Sequence, residues 1–205
     1  MVRRTLAAAG FDVVQAFDAA ACAREPGLAI LGDPARRRGY LVGSTRALWP
    51  RFVAARAADP ALDRDPNPIE RFTVETIDWV AASLPDARVF YTHRQYDGAF
   101  LPFQRLAVAS GLGALAPTHL VIHPIYGPWF SLRAAIVCAG EPETTSAPVA
   151  RCCECTNKCG DAFARAIAAT TDRAAAWLAV REACTAGRDH RYTDEQIAYH
   201  YSFLR

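Results

Sequence analysis

Four of the seven cysteines fall within residues 152–159, in the run RCCECTNKCG, and three of them are spaced as Cys152-x2-Cys155-x3-Cys159. Soft thiolates at that spacing suit zinc or an iron-sulfur cluster. A fourth ligand is expected from Cys184, with Cys138 as the alternative. The run is an incomplete ferredoxin order: one cysteine is missing, and Gly160 stands where a proline would follow. A thiol-disulfide switch, or cysteines without a ligand, are the competing readings.

The second stretch able to do chemistry is HPIYGPWFSLR, residues 123–133. Pro124 and Pro128 stiffen a turn, Gly127 permits close backbone approach, and Tyr126, Trp129 and Phe130 offer aromatic walls for a large flat ligand. The competing reading is a hairpin whose aromatic rings are core. Strand alternation places Trp129, Ser131, Arg133 and Ala135 on one face. A mid-strand arginine among apolar neighbours must reach water or pair with an anion, and the forked guanidinium of Arg133 suits a carboxylate or phosphate. Of the histidines only His123 has a suggestive setting; His93, His119, His190 and His200 read as surface or structural residues. No Ser-His-Asp order, HExxH or paired-carboxylate spacing supports hydrolysis.

These residues need elements to hold them. GLAILG (27–32) and YLVG (40–43) read as two short strands forming a hairpin. A helix begins near Trp49 and stops at Asp59-Pro60. Asn67, Pro68 and Glu70 form a capping box for a helix over 68–84, where Ile69, Phe72, Ile77, Val80 and Leu84 recur at helical spacing. ARVFYTH (87–93) is a strand, and Pro102 opens a further helix. THLVIH (118–123) and WFSLRAAIVC (129–138) are strands joined as a hairpin through 124–128. Residues 140–150 form a linker. Two helices follow the cysteines, the second capped by Thr171 or Asp172, and DHRYTDEQIAYHYSFLR is a polar aromatic tail. Mixed helices and hairpin-connected strands without strict βαβ alternation give an α+β class, a mainly antiparallel sheet flanked by helices.

With 205 residues, 52% of them hydrophobic, the expected organisation is one domain over 1–205, its segment 151–205 packed on the rest. A net charge of +2 gives no footprint for nucleic acid or anionic membrane. Asp12 and Asp18 interrupt any signal-peptide core and no membrane-length apolar run occurs, so a cytoplasmic location is expected.

HPIYGPWFSLRAAIV resembles the His-Pro-x-aromatic-Gly-x-Trp-Phe-x-x-Arg signature of the cobalamin-processing family of the methylmalonic aciduria and homocystinuria type C protein. The resemblance extends over GFDV, LAILG, STRALWPRF, DPNPIERFTVETIDWVAASLP and the closing Arg181-Glu182-Ala183 with Arg191-Tyr192-x-x-Glu195-Gln196-x-Ala198-Tyr199. The layout around 111–137, followed by cysteines, is also similar to epoxyqueuosine reductase. The resemblance implies a nitroreductase-like fold holding cobalamin with its lower base displaced, and an enzyme that removes the upper ligand by reductive decyanation or by dealkylation. It implies that Arg133 and Arg181 bind a glutathione carboxylate or the phosphate of a flavin (FMN or FAD), with Tyr192 lining the same cavity. It also implies a cofactor-holding wall of His123, Pro124, Tyr126, Gly127, Pro128, Trp129 and Ser131, none of which needs to coordinate cobalt. The implied partners are a flavin reductase or a downstream cobalamin-dependent enzyme, the chain acting as monomer or homodimer. A non-catalytic corrinoid chaperone, or an oxidoreductase of the same fold acting elsewhere, is the alternative. Two features depart from the family. The family's cavity histidine would fall at or near Val108, where this sequence has no histidine, and the cysteine run suggests an internal electron relay or thiol.

Overall fold

The computed structural model describes residues 2–143, 152 and 158–202. Cys153 and Cys155 lie outside the described residues. The helices are α1 (Val2–Ala8), α2 (Ala19–Cys22), α3 (Leu48–Ala58), α4 (Pro60–Asp63), α5 (Pro68–Ala81), α6 (Phe103–Ala109), α7 (Lys158–Ala168), α8 (Arg173–Glu182) and α9 (Asp194–Tyr201). The strands are β1 (Val13–Asp18), β2 (Arg38–Ser44), β3 (Arg88–Tyr91), β4 (Gln95–Tyr96), β5 (Ala99–Phe100), β6 (Ala114–Leu115), β7 (Val121–Ile122) and β8 (Ser131–Cys138).

An antiparallel sheet in the order β1-β2-β8-β3 forms the centre. Alternation along its strands feeds two cores. On one face Val13, Phe17, Leu41, Phe90, Ala135 and Val137 pack with Phe103 and Leu106 of α6 and with Leu28 and Leu31. On the other, Ala16, Tyr40, Val42, Tyr91, Ala134 and Ile136 meet Leu6, Phe52, Ile69, Ile77 and Val80 from α1, α3 and α5. Burying each of the larger aliphatic side chains contributes roughly 1.5–3 kcal/mol.

Several expectations are corrected. GLAILG is not a strand. Residues Ala29–Leu31 form a 3-10 turn that buries Leu31, and β2 pairs with β1 in the Val13–Asp18 segment. Asn67 caps α5, but its side chain makes no capping bond, so the capping box is not formed. Strand 118–123 shrinks to Val121–Ile122, which pairs with Ala114–Leu115 and not with β8. The tail contains α9, whose cap Thr193 accepts a hydrogen bond from the Gln196 N–H.

The departure that matters most for the site is in β8. Val42 pairs with Ala134 while the adjacent Gly43 pairs with Leu132, so Arg133 is the extra residue of a β-bulge. Gly43 makes the close pairing feasible, since a Cβ there would meet Ser131 O at 2.8 Å. A bulge shifts alternation by one residue and re-aims the side chain at it. Leu132 therefore shares its core with Ala135 rather than Ala134, and Arg133 does not share a face with Ala135 as expected.

Candidate functional site

Two adjoining clefts open beside this bulge. The first, about 380 Å³, is lined by Thr92, Phe100, Leu101, Phe103, Gln104, His119, Leu120, Val121, Pro128, Phe130, Ser131, Leu132 and Arg181. The second, about 500 Å³, is lined by Pro102, Gln104, Arg105, Val108, Leu115 and His119, so Gln104 and His119 border both. The floor is aromatic and aliphatic, and polar groups sit at its edge.

Arg181 leans over this edge. Its Nη1 donates to Pro128 O at 2.7 Å, and its guanidinium lies 5.5 Å from the centre of the Tyr192 ring. Tyr192 is buried, edge-on to Trp129, with its hydroxyl 3.0 Å from Ser131 Oγ. Arg133 lies behind the cleft wall. Its Nε donates to Ser44 Oγ at 3.1 Å, and burial lowers the guanidinium pKa, partly opposed by Tyr192 and Glu70. Among the described residues neither arginine forms an ion pair with a carboxylate. Two unneutralised guanidinium groups next to a polar cleft edge attract an anion.

Sequence reasoning passed over the third member of this group. His200 on α9 lies 5.7 Å ring to ring from Tyr192 and 3.4 Å from Gln196 Nε2. Burial, followed by the fields of Arg133 and Arg181, pushes its pKa down to about 3, so it is neutral near pH 7. The buried Trp129 Nε1 and Gln196 Oε1 in the same layer have no partner among the described residues. The signal that could have found α9 is the pair Thr193-x-x-Gln196, a capping-box spacing.

The aromatic turn divides between wall and scaffold. Pro128, Phe130 and Ser131 line the cleft. His123 and Gly127 instead exchange both backbone hydrogen bonds at 2.9 Å. The Nδ1 of His123 accepts from Ile125 N–H at 3.1 Å and Tyr126 N–H at 3.3 Å, while its ring stacks on Tyr126. Trp129 is 1% exposed and packs with Tyr192 and Ile197, so its ring is core. Pro124 is exposed on the turn.

The turn-holding role of His123 requires an uncharged ring, and burial depresses its pKa to about 4. In an unfolded chain both His123 and His200 titrate near 6.5. Stability is therefore full above pH 6.5 and declines below it as the unfolded state takes up protons first, until the folded values are reached. Each group contributes at most about 1.4 kcal/mol per pH unit, and His123, only partly buried, contributes less. Thermal melts between pH 6.5 and 5 are expected to show this loss, and a His123→Gln, His200→Gln double variant should flatten it. An unchanged slope in that variant would assign the acid sensitivity to other groups.

The cysteines converge in part. Cys152, Cys159 and Cys184 line one small enclosed space with Ala116, Thr118, Leu120, Ile122 and Val180. Leu120 separates that space from the first cleft, bordering both. Among the described residues no group of three His, Cys, Asp or Glu side chains is placed to hold a metal ion, and Cys155 lies outside them.

No protein-family model and no curated protein matches the chain. Among solved structures, it is similar to a C. elegans B12-trafficking protein, CblC, a human MMACHC homologue, with TM-score 0.68 at 12% identity over 98% of this chain and 90% of that one. A selenomethionine-labelled epoxyqueuosine reductase also matches, with TM-score 0.43 at 15% identity, over 78% of this chain and 50% of that one. No described helix is long and apolar enough to cross a membrane. At 12% identity the likeness to CblC is one of architecture, and the chain has that α+β, nitroreductase-like fold.

Proposed function

We propose that the chain binds cobalamin in the paired clefts and removes its upper ligand, as a cyanocobalamin reductase or alkylcobalamin dealkylase. The observation that carries this reading is an aromatic-floored cleft of mixed polarity that bears Arg181 and Ser131 and is backed by Arg133, which has no carboxylate partner among the described residues, on an architecture similar to that of a B12-trafficking protein. Bound cobalamin would supply the redox-active cobalt from which the ligand departs.

The protein's own part is binding, orientation and exclusion of water. Phe103, Phe130 and Leu132 offer the face of a macrocycle an apolar floor. Arg181, held by Pro128 O, faces the carboxylate of a thiol tripeptide such as glutathione or the phosphate of a reduced flavin. Ser131 orients the Tyr192 hydroxyl beside it. Arg133 adds positive field from behind, where an enclosed setting makes it stronger than in water.

Mixing the purified protein with cyanocobalamin is expected to shift its absorbance to the base-off form. Reduced flavin or glutathione should then convert the bound cofactor with loss of the upper ligand. No shift would remove the corrinoid reading. A shift without conversion under either reductant would leave a chaperone.

A further inference from the structure

Helices α7 and α8 pack on each other as a hairpin through Ala162, Ala166 and Val180. The connection between them is short, so the start of α7 and the end of α8 lie at the same end of that hairpin. Three cysteines gather there: Cys159 in the first turn of α7, Cys184 just past the end of α8, and Cys152 from the chain before α7. They border the enclosed space beside Leu120, whose volume of about 10 Å³ is room for roughly one water. No substrate fits inside it. The chemistry open to these thiols is therefore with one another, or with a reagent that reaches one of them from outside.

Burial and packing single out a pair. Cys152 packs against the apolar cluster of Ala116, Ile122 and Cys184. Cys152 is half-buried, whereas Cys159 and Cys184 are 7% and 4% exposed. A disulfide arriving from solvent meets Cys152 first, and Cys184 shares its cluster. That is the arrangement of an attacking thiol and a resolving thiol.

We infer that Cys152 and Cys184 form a thiol–disulfide exchange site for glutathione disulfide, and that its closure locks the end of α8 that carries Arg181. The Cys152 thiolate attacks one sulfur of glutathione disulfide, forming a mixed disulfide and releasing one glutathione thiolate. The Cys184 thiolate then attacks the Cys152 sulfur and releases the second. Two protein thiols are oxidised, one glutathione disulfide is reduced to two glutathiones, and the two thiol protons pass to them. The bond reaches the cleft through the backbone. Cys184 N–H donates to Arg181 O at 3.2 Å, and Ala186, packed on the same cluster, lies against Gly127 in the turn that holds Pro128. None of this depends on what occupies the clefts.

The test exposes the full chain, reduced and then freed of reductant, to glutathione disulfide. Its peptide map is expected to contain a link between Cys152 and Cys184. The linked protein should melt higher by ~5–10 °C, the effect of closing a loop of about 30 residues. Its amides over 181–187 should exchange with deuterium more slowly than those of the reduced protein. Cys152→Ser and Cys184→Ala should each lose the link, and Cys159→Ser should keep it. A map showing only glutathione adducts, or Cys184 linked to another cysteine, overturns the pairing. A link that forms without slowing exchange over 181–187 overturns the lock on Arg181.

Discussion

Replacing Gly127 with alanine is expected to cost the fold about 3–5 kcal/mol, lowering the melting temperature by on the order of 10 °C. Gly127 has φ 55°, and a Cβ there would fall inside the backbone of Ala186. The contact is reciprocal: Gly187, with φ 67°, would drive its own Cβ into the Tyr126 carbonyl. Two chain segments thus touch backbone to backbone, and neither can retreat by turning a side chain. The penalty combines left-handed strain with a clash that only a backbone shift can relieve.

Gly98 provides the comparison. It also has positive φ, 81°, but nothing lies within 4 Å of the position its Cβ would take. Gly98→Ala should therefore pay the conformational cost alone, ~1–2 kcal/mol. Thermal melts of both variants isolate the clasp as the difference between them. Equal losses would show that the close approach carries no weight. The clasp also matters for chemistry, because it joins the turn bearing Pro128 to the segment leading from Arg181 to Tyr192. Gly127→Ala protein that remains folded should bind a corrinoid more weakly than Gly98→Ala protein.

What could be read from residues alone follows from the range of the interactions involved. The helix expected over 68–84 is legible because Pro68 and the apolar spacing are local signals; its start agrees with the structure, and it ends earlier, at Ala81. The run 27–32 was not, since a short apolar stretch fits a strand or a buried turn equally well. Pairing of β7 with β6 instead of β8 is a non-local choice that no local pattern encodes. Cys152, Cys159 and Cys184 border one enclosed space, and Leu120, between that space and the cleft, is placed there by non-local packing that no local pattern encodes. For Arg133 the residue type announced a charge inside a strand. The direction it takes depends on a bulge created jointly with Gly43, a partner 90 positions away. His200 was passed over because its meaning lies in the two arginines around it.

Arg133 itself yields the prediction that best separates function from structure. A charged group enclosed behind the wall, hydrogen-bonded to Ser44 but lacking a carboxylate among the described residues, costs the fold more than an apolar side chain of similar length would. Arg133→Met is therefore expected to raise the melting temperature by ~2–4 °C, corresponding to about 1 kcal/mol. The same change should lower kcat/KM for removal of the upper ligand by about 10–150-fold, the equivalent of ~1.5–3 kcal/mol for a hydrogen bond or field acting on a charged group. His200 offers an independent readout. With one of the two nearby positive charges gone, its depressed pKa should move upward, which NMR titration of the imidazole would register. Arg133→Met protein that melts lower, with catalysis reduced only in proportion to the folded fraction, would make Arg133 a packing residue of the bulge. Higher stability joined to a slower reaction is the pattern of a residue held in place against the interest of the fold.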